Sequence, residues 1–181
     1  MERVQNIFSY RCSGAEPVVT SPKTTAACET RDIERMSYTH LLYHIVFGTK
    51  GHLPLISAEW EDELYRYMAG IVRNHKGEAV EINGMPDHAH LLVRLEPIEG
   101  IADFMRELKS GSSKWVRKTH QPKFNWQRRY GAFSVSESVS DAVRKYIRDQ
   151  KKHHQMQSFE VEYKTLLHRH NVIFDERYLW D

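Results

Sequence analysis

The sequence predicts one domain that mixes strands and helices. Three observations carry this: four strand-like stretches rich in β-branched and aromatic residues, amphipathic helical patterns set between and after them, and no internal repeat. Thr39 to Thr49 carries no Lys, Arg or acidic residue before Lys50 and reads as a central strand. His40 and His44 sit on or beside it, expected as satisfied structural histidines rather than ligands. Ser57 then caps a helix, with Glu59, Glu61 and Asp62 placed favourably against its N-terminal dipole. Trp60, Leu64, Tyr67, Met68 and Ile71 recur at helical spacing as its buried stripe. Gly77 closes that unit. Glu78 to Asn83 alternates, Ala79 and Glu81 against Val80 and Ile82, and reads as a second strand that turns at Gly84.

The next strand follows Pro86-Asp87. Successive side chains point to opposite faces, so His88 and His90 share a face with Leu92 and Arg94, while Ala89, Leu91, Val93 and Leu95 fill the other and face helices. Pro97 and Gly100 break the chain before a second helix from about Ile101 to Lys118, whose apolar face is Ile101, Phe104, Met105, Leu108, Trp115 and Val116. Ala132 to Val135 is a short fourth strand. Ser138 or Ser140 starts a third helix running to His154, with Val139, Val143, Tyr146 and Gln150 on one face, so that Tyr146 and Gln150 are neighbours one turn apart. Glu160 to Leu167 makes a last short helix, and Ile173 to Trp180 docks on the body.

The chain has 181 residues, enough for one domain with a real core, and it is 40% hydrophobic and 28% charged, the balance of a globular protein. No apolar run approaches membrane-spanning length. Residues 1–35 show no sustained periodicity, are rich in Ser, Thr, Ala and Pro, and are expected to be a disordered extension preceding a domain over 36–181. The shift in composition at Met36 makes that residue a candidate natural start. Both cysteines, Cys12 and Cys28, fall in the leading segment and no Cys-x-x-Cys pair occurs, so a reducing cytoplasm is the expected compartment.

Net charge is only +2, but it is uneven: Arg106 to Arg129 holds eight Lys or Arg against the single acid Glu107. Around the small-sided Gly111-Ser112-Ser113, phosphate oxygens can approach the backbone while Lys109, Lys114 and Arg117 neutralise them. Trp115, Phe124, Trp126 and Tyr130 are interleaved with the basic run, and bases can stack on such rings. A solvated basic helix end explains the same residues, and that reading stays open.

Two imidazoles at i, i+2 can hold one divalent metal, given a third ligand from elsewhere. With eleven histidines in the chain, the pair taken alone is more often an ordinary feature of a surface strand. A histidine-triad hydrolase is disfavoured, because Leu92 stands where its third histidine belongs. A Gln facing inward beside Tyr146 wants a polar partner, which a metal would provide; a half-buried Tyr flanked by an amide is the alternative.

His88-Ala89-His90 resembles the His-hydrophobe-His signature of the HUH endonucleases. The order of landmarks is similar to that of the single-tyrosine transposases of bacterial insertion sequences and their repeat-associated relatives: Met85 to Leu92, then Leu108 to Ser113, then Tyr146-Ile147 with Gln150. The opening Tyr43 to Phe47 and the closing Asp175 to Trp180 are similar too, so the resemblance spans 36–181. It implies a ferredoxin-like α+β sandwich, with a central antiparallel sheet carrying the histidines and helices packed on it. It implies Tyr146 as nucleophile, and His88, His90 and Gln150 as ligands of Mg²⁺ or Mn²⁺. It implies a homodimer acting on single-stranded DNA at hairpins near element ends. In several members the tyrosine helix of one subunit completes the site of the other, and either arrangement is open here.

The implied chemistry is coherent. A phenol titrates near pH ~10 and is a poor nucleophile at neutrality, a deficit a bound divalent ion can relieve. One phosphoester replaces another, so no nucleotide-binding loop is needed, and none is found. Two further readings remain: a non-catalytic hairpin- or repeat-binding protein domesticated from a transposase, and a metal-dependent phosphoesterase that uses water.

Overall fold

The computed structural model describes residues 38–97 and 100–180. The expected extension over 1–35, with both cysteines, lies outside the described residues, as does Met36.

The four strands are β1 (Leu41–Gly48), β2 (Glu78–Met85), β3 (His88–Leu95) and β4 (Gly131–Ser134), in the spatial order β2-β3-β1-β4. Every pairing is antiparallel. Helix α1 (Glu61–Asn74) links β1 to β2, and α2 (Ile101–Thr119) links β3 to β4. The βαββαβ order with this strand arrangement is the ferredoxin-like α+β fold expected from the sequence. Three helices follow β4: α3 (Ser140–Arg148), α4 (Gln150–His153) and α5 (Phe159–Arg169). No helix among the described residues is long and apolar enough to cross a membrane.

The pleat of the two central strands sorts the molecule into two layers of packing. Ile45, Phe47, Leu91 and Val93 point to one face and are buried against Leu64 and Met68 of α1 and Phe104 and Leu108 of α2. The alternate residues serve the other face: Leu42 and Leu92 pack with Ile147 of α3, and Val46 and Phe133 pack with Phe159, Tyr163 and Leu166 of α5. Leu179 is buried in that second layer with Phe174 and Trp180 against it, so the closing segment docks as expected, although Ile173 is fully in solvent.

Several local expectations need correction. The alternation along β2 breaks at a bulge between Ala79 and Glu81, so Ala79 and Ile82 both face α1 and α2 while Val80 turns to α3. An extra residue in one strand inverts the parity of everything beyond it. The third helix is not continuous: Asp149, at φ −89° and ψ 14°, separates α3 from α4. Val139 is exposed, and Ile147 takes the buried place assigned to it. Gly111, Ser112 and Ser113 lie inside α2 and have packing roles. A Cβ on Gly111 would stand 3.1 Å from Ile71 of α1, and Ser112 is buried, accepting a hydrogen bond from Trp126 Nε1 at 2.9 Å. Phe124 and Trp126, read as base-stacking candidates, lie in the core.

Candidate active site

The tight Pro86-Asp87 turn sets Asp87 immediately before the first residue of β3. His88 Nδ1 donates to Asp87 Oδ1 at 2.7 Å, which fixes the tautomer and leaves Nε2 with a free lone pair. Burial opposes the charge on Asp87 most strongly, but this hydrogen bond, the charge of His88, a backbone hydrogen bond and the charge of His52 together hold the carboxyl below its ordinary value. The His88 ring is fully buried, stacked on Phe159 of α5 at 3.9 Å between centroids and 8° between planes. Gly48 lies opposite His88 in the β1–β3 register, and a Cβ there would crowd Phe159 Cε1 at 3.2 Å. Burial pushes His88 down to about 4, so at neutral pH it is an uncharged imidazole, the form that ligates metals.

Two residues along, His90 is equally buried, with Nδ1 3.0 Å from Nε2 of His44. His44 is pushed to about 3, by burial and then by His90, and stays neutral. It is a satisfied structural histidine, as expected, and the one that orients its neighbour. The Nε2 atoms of His88 and His90 have no hydrogen-bond partner.

Both point towards Glu162, in the first turn of α5. Its Oε2 lies 3.8 Å from His88 Nε2 and 3.5 Å from His90 Nε2, and accepts a hydrogen bond from His154 Nε2 at 2.8 Å. Its Oε1 accepts from the Tyr146 hydroxyl and from Gln150 Nε2, the latter at 3.0 Å. Glu162 is buried. Desolvation alone would raise its carboxyl, yet the groups around it, His154 first and then His90, hold it well below the usual carboxylate range. Tyr146 is affected in the opposite sense: burial, then the charge of Glu162, pushes its phenol well above the ordinary value.

The four residues singled out from the sequence therefore meet within one chain. Tyr146 stands with its ring centroid 6.0 Å from that of His90. Gln150 is fully buried, and its Oε1 has no partner. Three unpartnered buried atoms, two imidazole nitrogens and an amide oxygen, are the donors a divalent cation takes, so the residues fit a metal. His88, His90, His154 and Glu162 form a group that can hold an ion, with ligand atoms all within 4.8 Å of one another.

Glu162 and His154 were missed from the sequence. A signal existed for Glu162: it falls three residues after Phe159 and four before Leu166, an acid on the apolar face of its own helix. Nothing in the local pattern distinguished His154 from His153. The three basic residues singled out for DNA lie on α2, which covers the opposite face of the sheet. Lys109 Nζ donates to the carbonyls of Arg128 and Arg129 at 3.0 and 3.1 Å. Arg117 Nη1 donates to Phe124 O and to Asn125 Oδ1. Lys114 is exposed. Beside Tyr146, on the histidine side, a cavity of about 340 Å³ is lined in part by His44, Ser134, Val143, Leu166 and Arg169.

Residues 37–150 match the family described as "Transposase IS200 like". The ISDra2 transposase TnpA of Deinococcus radiodurans is 28% identical over 118 residues, 61% of this chain and 84% of that protein. The crystal structure of a candidate transposase from Deinococcus radiodurans R1 aligns with a TM-score of 0.53 at 28% identity, covering 64% of this chain and 95% of that one. A REP-associated tyrosine transposase bound to a REP hairpin aligns with a TM-score of 0.49 at 15% identity, covering 64% of this chain and 69% of that one. The chain, with its match extending over more than half its length, belongs to the IS200-like transposase family.

Proposed function

We propose that this protein is a DNA strand transferase whose domain spans 36–181 and whose nucleophile is Tyr146. The observation that carries the reading is the convergence of the Tyr146 hydroxyl with the unpartnered atoms of His88, His90 and Gln150 around one buried carboxylate. Mg²⁺ or Mn²⁺ held by His88, His90 and Gln150 supplies, when bound, positive charge that polarises a phosphodiester and offsets the charge developing on it.

The protein's own groups do the rest. Asp87 and His44 fix the two imidazoles so that each presents a lone pair from Nε2. Phe159 covers the His88 ring and excludes water from that side. The Tyr146 oxygen attacks phosphorus, the bond from phosphorus to the 3′-oxygen breaks, and the phenolic proton balances the 3′-hydroxyl that is released. The product is a 5′-phosphotyrosine, which a second 3′-hydroxyl reverses at a new position. A nucleotide next to the scissile bond would occupy the cavity beside Tyr146. The substrate is single-stranded DNA with hairpins at element ends, the working form is a homodimer in the cytoplasm, and the exposed Lys114 meets the DNA backbone, with Lys109 and Arg117 supporting that surface.

The test uses labelled single-stranded hairpins taken from imperfect palindromes flanking the gene, with Mg²⁺ or Mn²⁺. Wild type forms a denaturation-resistant protein–DNA adduct; Tyr146→Phe forms none and retains hairpin binding in a mobility-shift assay. A full-strength adduct from Tyr146→Phe would overturn the assignment of the nucleophile. Products bearing a free 5′-phosphate and no attached protein would identify a hydrolase instead.

A further inference from the structure

We infer that Glu162, from helix α5, is itself a ligand of the divalent metal, completing the site within a single chain. This rests on the reading of His88 and His90 as metal ligands. It adds a charged oxygen donor to the set, from a helix beyond the segment that matches the family.

The distances favour coordination over hydrogen bonding. Glu162 Oε2 stands 3.5 and 3.8 Å from the two imidazole nitrogens, too far for good hydrogen bonds, and both nitrogens are unpartnered. Ligands about 2.1 Å from a common ion lie roughly 3.0–3.4 Å from one another, depending on geometry. The separations are therefore close to those of donors arranged around a shared cation. Each atom of the carboxylate has a use: Oε1 receives Tyr146 and Gln150, while Oε2 receives His154 and retains lone-pair capacity towards the histidines.

Charge makes the same point. Among the described residues, the ion pairs of this buried carboxylate are with histidines alone. Burying a carboxylate without a fixed cation is expensive. A divalent ion supplies that cation and keeps a net positive charge for the phosphate. The mixed donor set of imidazole nitrogen and carboxylate oxygen suits Mn²⁺ better than Mg²⁺, which prefers oxygen and retained water. Glu162 would also connect the ion to the nucleophile, since the same carboxylate receives the Tyr146 hydroxyl.

The experiment titrates Mn²⁺ into the full chain by calorimetry, and follows the rise in unfolding temperature that Mn²⁺ produces, for wild type, Glu162→Gln, Glu162→Asp and His90→Ala. Coordination by Glu162 predicts that Glu162→Gln weakens Mn²⁺ binding by at least about tenfold and shrinks the thermal shift, with Glu162→Asp intermediate. His90→Ala loses binding as well. Unchanged or tighter binding in Glu162→Gln, with binding lost in His90→Ala, would overturn the role of Glu162 and leave the histidine reading standing. Absence of Mn²⁺ binding in wild type would overturn both. Should Glu162→Gln fail to fold, Glu162→Asp decides: affinity equal to wild type would overturn the inference.

Discussion

The two faces of the central sheet are made from alternate residues of the same strands, yet they are built to different ends. Towards α1 and α2, β1 and β3 present Ile45, Phe47, Leu91 and Val93 to an apolar layer. Even the basic and small residues of α2 serve packing there: Lys109 ties down two carbonyls and Ser112 receives the Trp126 indole. Towards α3 and α5, the same strands present His44, His88 and His90 among Leu42, Val46 and Leu92. On that side three buried polar atoms converge with no partner. Buried polar groups are ordinarily satisfied, so an unsatisfied cluster marks where stability has yielded to binding or chemistry. One face holds the molecule together and the other is held ready.

The largest effects should come from neighbours on β3 that point opposite ways. His90→Leu removes a metal donor and should abolish metal-dependent cleavage, while stability changes by only about 1 kcal/mol because one hydrogen bond is lost and an apolar side chain of similar size replaces the ring. Leu91→Ala should do the reverse, costing about 2–5 kcal/mol by leaving a cavity in the apolar layer while the folded fraction keeps its activity. Urea denaturation and a cleavage assay on both variants give the comparison. If His90→Leu destabilises as much as Leu91→Ala, the division of labour between the faces fails.

How far this division was legible in the sequence depended on distance along the chain. Alternation in His88 to Leu95 assigned the faces of β3 from eight consecutive residues, because a strand's period is fixed by its backbone. The same rule failed on β2, where a bulge that no local pattern announced inverted the parity after Ala79. Tyr146 and Gln150 were placed together by helical spacing, and they remain together although Asp149 interrupts the helix. Glu162 eluded the reading because its partners are far away in sequence: His88 and His90 lie more than seventy residues upstream. Phe124 and Trp126, within the basic aromatic run, misled for a related reason. Composition cannot tell a ring that stacks on a base from one that fills a core, and Phe124 fills a core.

A moderate effect should follow from disturbing the polar pair inside the apolar face. Trp126→Phe deletes the indole N–H that Ser112 Oγ accepts at 2.9 Å, and removes part of a ring packed edge-on against Phe47. The loss should be about 1–2 kcal/mol in urea denaturation, with Mn²⁺ affinity unchanged. A Trp126→Phe variant that bound Mn²⁺ more weakly would show that the two faces are coupled through β1.

The smallest effect concerns Lys109, and it asks whether the α2 face has any part in holding DNA. Burial lowers its ammonium to about 8, from an ordinary value of 10.5. Between those values the unfolded chain keeps a proton that the folded chain has released, so this group's contribution to stability rises with pH across that window. Lys109→Met lacks the titration, so the stability of wild type relative to this variant should increase from pH 8 to 10. Urea midpoints at pH 7, 8, 9 and 10 measure it. In the same window, any contribution of Lys109 to hairpin affinity should fade as the charge is lost. A stability difference that stays flat with pH would mean an ammonium in solvent, free to meet phosphate directly rather than only to support the surface around Lys114.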